Sequence, residues 1–282
     1  MSAEALAGLL RSFRLPTMAA IWEESVTRAE RENWGYKRLL VHLCESEEQD
    51  RRERKIARLL NESGLPEGKT LGNLDETILA AKIRRLLPTL LEGHFVERAE
   101  NLLAFGLPGR GKTHFLAALG RELILRHRHS VLFIPTFKLV QQLLAAKKEL
   151  RLENELRRLD RFAVVILDDI GYVQQDRQEM EVLFTFLAER YERRSVLISS
   201  NLVFSKWDQI FKDPMTTMAA IDRLVHHATI LEFNNESVRD RQARGRQKAQ
   251  ANPPEGPFGS TASLALDGAK DSVPPKGPSP KD

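Results

Sequence analysis

Apolar residues in the first part of the chain recur at helical spacing. Leu6, Leu9, Leu10 and Phe13 lie three or four positions apart, the period of one helix face. Pro16 stands where a second helix can open in its first turn, and Ile21, Trp22 and Val26 continue the pattern. A longer amphipathic stretch runs from Trp34 to Leu60 and ends in NESGLP, where Gly64 and Pro66 are stop signals. The pattern predicts a small all-helical domain over residues 1–94.

From Ala99 the texture changes. NLLAFG (101–106) is a short apolar run, and KTHFLAALGRELILRH, from Lys112 onward, reads as a helix. VLFIP (131–135) predicts a second strand, with Thr136 as the cap of a helix over FKLVQQLLAAKKEL. RFAVVILDDIGY holds a third strand, Phe162 to Leu167, whose unbroken apolar run suits a parallel sheet covered on both faces. A helix over Gln178 to Arg194 follows, then strands at SVLISSN (195–201) and ATILEF (228–233). This alternation predicts an α/β domain over residues 95–250, a doubly wound parallel sheet flanked by helices. Residues 252–282 hold seven of the thirteen prolines and little that forms a core, so a disordered Pro/Gly-rich tail is expected from residue 251. No internal repeat is visible.

Composition narrows the class. The 282 residues are 42% hydrophobic and 29% charged, ordinary for a soluble protein. No apolar run reaches the roughly 18 residues of a membrane span, and MSAEALAGLLRSFRLP lacks a signal-peptide layout. With one cysteine, Cys44, there is no internal disulfide framework and no zinc site of two thiolates. A cytoplasmic location with no membrane partner is expected, and Cys44, on an apolar helix face, is expected in the core.

The formal charge is +4, a lean toward an anionic partner. Residues 1–94 carry fifteen basic and fifteen acidic side chains, so the excess lies elsewhere. In ESEEQDRRERKIARLL, Glu47 faces Arg51 and Glu48 faces Arg52 at four-residue spacing, which reads as a self-paired helix face. The alternative makes Arg51, Arg52, Arg54, Lys55 and Arg58 a phosphate-contacting surface for DNA. VRDRQARGRQKAQ, near the end, is a second basic stretch, solvated or brushing nucleic acid.

GLPGRGKTH, Gly106 to His114, has the spacing of a phosphate-binding loop. Glycines let the backbone turn its N–H groups inward as an anion nest. In this reading Gly106, Leu107, Pro108, Gly109, Arg110, Gly111, Lys112, Thr113 and His114 cradle a nucleotide, with Lys112 on the β- and γ-phosphates and Thr113 as a magnesium ligand. A strand before the loop and a helix after it are the context the motif requires, and the helix N-terminus adds partial positive charge.

The third strand ends in Asp168-Asp169, at the mouth of the sheet beside that loop. Asp168 is expected to hold the metal, directly or through water, and Asp169 to polarise the attacking water as general base. Capping of the following turn is the competing account. Ser199-Ser200-Asn201 closes the next strand, where an amide orients water or touches the γ-phosphate unless it serves a turn. Arg223 precedes the last strand; it reaches its own nucleotide with difficulty but a neighbour's readily, the alternative being an ion pair with Asp222 or Glu232. Arg239 is a candidate second cationic sensor or a surface residue. His226-His227 lacks acids or a third ligand at metal spacing and reads as a packed turn.

In order, GLPGRGKTH, VVILDDIGY, LISSNLVFSKW and IDRLVHHATILEF, behind LCESEEQDRRERKIARLLNESGLP, resemble the IstB-like ATPases over roughly residues 5–245. These are AAA+ helper proteins of insertion-sequence transposons, related to DnaC-type helicase loaders. The resemblance implies ATP binding and hydrolysis with Mg2+, homo-oligomeric assembly on target DNA mainly through its backbone, and recruitment or stimulation of a cognate transposase. It implies roles for Lys112 and Thr113 at nucleotide and magnesium, Asp168 and Asp169 at metal and water, Asn201 as first sensor, Arg223 as arginine finger in trans and Arg239 as second sensor. Two residues depart from the wider AAA+ pattern: Asp169 stands where glutamate is common, and Arg110 where small residues are usual. No extended lid is visible after Phe233. A loader of a replicative helicase is the nearest alternative. A small-molecule kinase lacks an acceptor pocket and arginine-rich lid here, and a non-hydrolysing switch is disfavoured by the presence of Asp169.

Overall fold

Five parallel strands with the order β2-β3-β4-β1-β5 form the centre of the computed structural model, which describes residues 3–170, 177–202 and 222–234. They are β1 (Asn101–Phe105), β2 (Val131–Pro135), β3 (Val164–Ile170), β4 (Ser195–Ser200) and β5 (Ala228–Glu232). The helices are α1 (Ala3–Ser12), α2 (Pro16–Arg31), α3 (Tyr36–Glu62), α4 (Ala81–Leu91), α5 (His94–Glu97), α6 (Lys112–His127), α7 (Thr136–Lys148), α8 (Leu152–Asp160) and α9 (Arg177–Arg190).

The unbroken apolar strands are explained by burial on both faces. Alternate residues divide between two clusters: Leu103, Phe105, Val165, Leu167, Val196 and Ile198 pack with α7, α8 and α9. Leu102, Ala104, Val164, Ile166 and Leu197 pack with α6, α4 and the end of α3. Gly120 lets α6 lie close against β3, since an added Cβ meets the Ile166 side chain at 2.6 Å. Below the sheet, Arg190 is buried and donates to the carbonyls of Leu159, Phe162, Ala163 and Ser195. Burial lowers its pKa to about 9, so it stays a cation that ties α8, β3 and β4 together at neutral pH.

The cluster on the α6 face runs without interruption from Leu59 through Leu74, Ile83, Leu87, Phe95 and Val96 into β1. The change of sequence texture near Ala99 therefore marks entry into the sheet and no break in packing. Before it, α1, α2 and α3 form a helical layer. Pro16 opens α2 at its first turn, as expected. The Glu47 carboxylate, buried on α3, accepts from the N–H groups of Thr17 at 2.8 Å and Met18 at 3.1 Å and thereby caps α2 from another helix.

Several expectations are corrected. The helix expected at 34–60 runs 36–62. Thr136 does not cap: it is the first residue of α7, and its hydroxyl donates to the Asp168 carbonyl at 3.1 Å. The third strand, expected over Phe162 to Leu167 with the acidic pair at its end, runs from Val164 to Ile170 and includes the pair. The pattern does not predict helix α8, because LENELRRLD is short and mostly polar: its three leucines share one face, and only Leu159 is fully buried. Cys44 is exposed, not in the core, because α3 turns Leu43 and Glu47 inward instead. Residues 252–282 lie outside the described residues.

Candidate nucleotide and metal site

The loop between β1 and α6 has the glycine conformations its sequence demands. Gly106 sits at φ 151° against the Phe233 carbonyl, which an added Cβ would meet at 2.4 Å. Gly109 and Gly111 are left-handed, at φ 76° and 91°. Lys112 opens α6 and is buried. Its ammonium donates to the carbonyls of Gly106 at 2.5 Å and Leu107 at 3.0 Å, and to Asn201 Oδ1 at 2.7 Å. Leu107 and Pro108 are exposed at the rim, and Gly109, Arg110, Gly111, Thr113 and His114 are half-buried.

Two acids complete the constellation. Thr113 Oγ1 donates to Asp168 Oδ1 at 2.8 Å, and Ser199 Oγ donates to the same oxygen at 2.7 Å. Asn201 Nδ2 donates to Asp169 Oδ1 at 2.6 Å, so one amide bridges Lys112 and Asp169. Burial and then the neighbouring Asp168 charge push the Asp169 carboxyl up from its ordinary value, against the Lys112 charge and the Asn201 hydrogen bond. A carboxyl raised in this way, at the mouth of the sheet, suits proton uptake.

The fold thus brings together Lys112, Thr113, Asp168, Asp169 and Asn201. Sequence reasoning missed Ser199 and Thr136 as partners of Asp168, because the adjacency of β3 with β4 and α7 is not written in either segment. It also missed the segment before α4: a His114 ring nitrogen lies 3.0 Å from the Thr70 carbonyl, beside the loop. Hydroxyl and carboxylate oxygens, as on Thr113 and Asp168, are the hard donors that magnesium takes.

Arg223 is elsewhere. Residues 222–226 are helical and enter β5 at the end where β1 begins, Asn101 pairing with Ala228. Leu224 is buried and its carbonyl accepts from the Asn101 amide at 3.2 Å, which anchors the stretch. Arg223 is exposed, and among the described residues it makes no ion pair with Asp222 or Glu232. The loop lies at the opposite end of β1, about 15 Å away along a five-residue strand. Arg239 lies outside the described residues. His226 and His227 are exposed rather than packed, and the fold supplies the acid that their sequence neighbourhood lacks: Glu192 lies 3.5 Å from His227 Nε2.

Together the loop, its lysine, the paired acids and the strand order define a P-loop nucleotide-binding domain of AAA+ type. The chain belongs to the IstB-like ATP-binding proteins, whose family description matches residues 8–246. It is 41% identical over 260 residues to a Sinorhizobium fredii protein named as an insertion-sequence ATP-binding protein, covering 92% of this chain and 86% of that one. To the one of insertion sequence IS21 in Pseudomonas aeruginosa it is 35% identical over 236 residues, 84% of this chain and 89% of that one. Among solved structures, DnaI aligns with a TM-score of 0.51 at 19% identity over 61% of this chain and 96% of DnaI. Domain III of Thermotoga maritima DnaA aligns at 0.52 and 17%, over 68% and 79%. These two likenesses concern the fold alone. No helix among the described residues is long and apolar enough to cross a membrane.

Proposed function

We propose that this chain binds ATP with magnesium, hydrolyses it, and uses the cycle to assemble on duplex DNA and support a partner transposase of an insertion sequence. The observation that carries the chemistry is the bonded set Lys112, Asn201 and Asp169 beside Thr113 and Asp168. The names of the two relatives support the insertion-sequence setting.

Thr113 and Asp168 are the residues to hold magnesium, which when bound offsets charge on the phosphate oxygens. Lys112 exchanges the Gly106 and Leu107 carbonyls for phosphate oxygens. Asn201 meets the γ-phosphate and holds the side chain of Asp169 in place. Asp169 takes a proton from water as the water oxygen bonds to the γ-phosphorus; the bond to the β–γ bridging oxygen breaks, and ADP leaves with its electron pair. Arg223 acts on the site of a neighbouring copy, which makes the working unit a homo-oligomer. In this reading residues 1–94 are the DNA-, partner- and assembly-contacting part, residues 95–250 the ATPase part and residues 251–282 a separate tail, in a cytoplasmic protein. Arg239 would be the second sensor.

The test is ATP hydrolysis by the purified chain against duplex DNA concentration, with sedimentation of the same samples. DNA and ATP together are expected to drive large complexes and change turnover. A protein that stays small and whose hydrolysis ignores DNA would sink the proposal and favour the helicase-loader reading, in which binding to a replicative helicase replaces binding to DNA.

A further inference from the structure

We propose that Ser199 is a positioning residue of the catalytic acids. Its hydroxyl fixes the Asp168 carboxylate for magnesium and locks the backbone turn that presents Asp169. The inference rests on the nucleotide-hydrolysing reading above.

The pairing of β3 with β4 carries it. Leu167 pairs with Ile198 and Ile170 with Ser200, so Asp168 and Asp169 together face one residue, Ser199. This is a β-bulge, which leaves the extra residue without its ladder partner. Asp169 has φ 61°, left-handed for a residue that is not glycine, a conformation held only when its surroundings enforce it. Ser199 does so: its Oγ accepts from the Asp169 N–H at 2.8 Å. Because that contact uses an oxygen lone pair, the hydroxyl proton points elsewhere, to Asp168 Oδ1 at 2.7 Å.

Two hydroxyls, of Ser199 and Thr113, converge on that oxygen, and Thr136 holds the Asp168 carbonyl. The carboxylate is therefore set in rotation by hydroxyls from two elements, α6 and β4, while α7 fixes the backbone that carries it. Ser199 is almost wholly buried, so no water replaces its hydroxyl readily. Asn201, two residues further along, touches both Lys112 and Asp169. Ser199 near the end of β4 thus holds the metal acid, and Asn201, just past it, holds the base. Alanine at 199 leaves the Asp169 N–H without its acceptor and Asp168 with one donor fewer; threonine keeps the hydroxyl.

Wild type, Ser199→Ala and Ser199→Thr are compared as full chains. The readouts are Mg2+ dependence of ATP hydrolysis, affinity for a fluorescent ATP analogue with Mg2+ or with EDTA, and the melting temperature. Loss of a group that orients a metal ligand commonly costs about 10- to 100-fold in metal affinity or activity. Ser199→Ala is expected to raise the half-saturating Mg2+ concentration or lower turnover by that factor, and to lose the Mg2+-dependent gain in analogue affinity. Its affinity in EDTA should stay within about twofold of wild type, and Ser199→Thr should recover most of the loss. Wild-type Mg2+ dependence and turnover in the alanine variant overturn the proposal. So does a loss that threonine fails to recover, or one that appears equally in EDTA with a lowered melting temperature, since either marks a packing role. Absence of hydrolysis in wild type refutes the ATPase reading instead, and the Mg2+-dependent analogue affinity still decides the role of Ser199.

Discussion

Lys112 and Asp169 hold opposite charges on the same amide, yet their substitutions should separate. The Lys112 ammonium is satisfied by two loop carbonyls and Asn201, groups that also line the nest into which phosphates fit. Lys112→Ala removes the cation from a site built around anions, and loss of nucleotide binding in a fluorescence titration is the expected result. Asp169→Asn keeps an oxygen to accept from Asn201 and removes only the proton acceptor. It should bind ATP within a few fold of wild type while turnover falls by about 10²-fold, the usual scale of general-base catalysis. An Asp169→Asn protein that hydrolyses at the wild-type rate would take Asp169 out of its role.

Elements were legible where the apolar pattern was long and uniform. VVIL and the loop after NLLAF could be read because strands covered on both faces need unbroken apolar runs, and a glycine-rich turn leaves its own spacing. Ser199 could not, because its two partners belong to the neighbouring strand and the bulge they form opposite it has no signature in SVLISSN. Glu47 shows the same limit. As a sequence it is half of an i,i+4 pair with Arg51, which is present at 3.0 Å, but its larger task is to cap α2 from α3. Burial alone would raise its carboxyl; the N–H groups of Met18 and Thr17 and the Arg51 guanidinium outweigh that and hold it below the ordinary glutamate value. A carboxyl lowered by folding contributes stability that is complete above its unfolded value of 4.5 and is lost as pH falls through its folded value. Glu47→Gln should therefore destabilise the α2–α3 pair by about 1–3 kcal/mol near neutrality. It should also flatten the loss of helical signal below pH 4.5. Amide exchange across 16–31 and 36–62 at pH 7 and pH 4 measures both; equal protection in the two proteins would deny Glu47 its capping role.

At the scale of the molecule, the distance between Arg223 and the phosphate loop governs what one copy can do alone. The strand order puts β5 beside β1 at the sheet edge, with the arginine at one end of the strands and the loop at the other. Asn101 and the buried Leu224 fasten the arginine's helical stretch to the sheet, so it cannot swing across to its own site without breaking that anchor. In the proposed homo-oligomer, a head-to-tail contact, in which each copy offers a different surface to the next, would bring the arginine of one copy to the loop of another. Arg223→Ala should then bind ATP normally and lose turnover only in the assembled state, by about 10³-fold or more as for other arginines supplied in trans. Lys112→Ala has the opposite defect, an intact arginine and a loop that cannot hold nucleotide. When the two variants are mixed in equal amounts, about one contact in four joins a competent loop to a competent arginine, if assembly is random and heterologous. ATP hydrolysis in the mixture should rise toward about a quarter of the wild-type rate on DNA, while each variant alone stays near background. No recovery at any mixing ratio, with sedimentation showing that mixed assemblies form, would mean that Arg223 does not act across the contact.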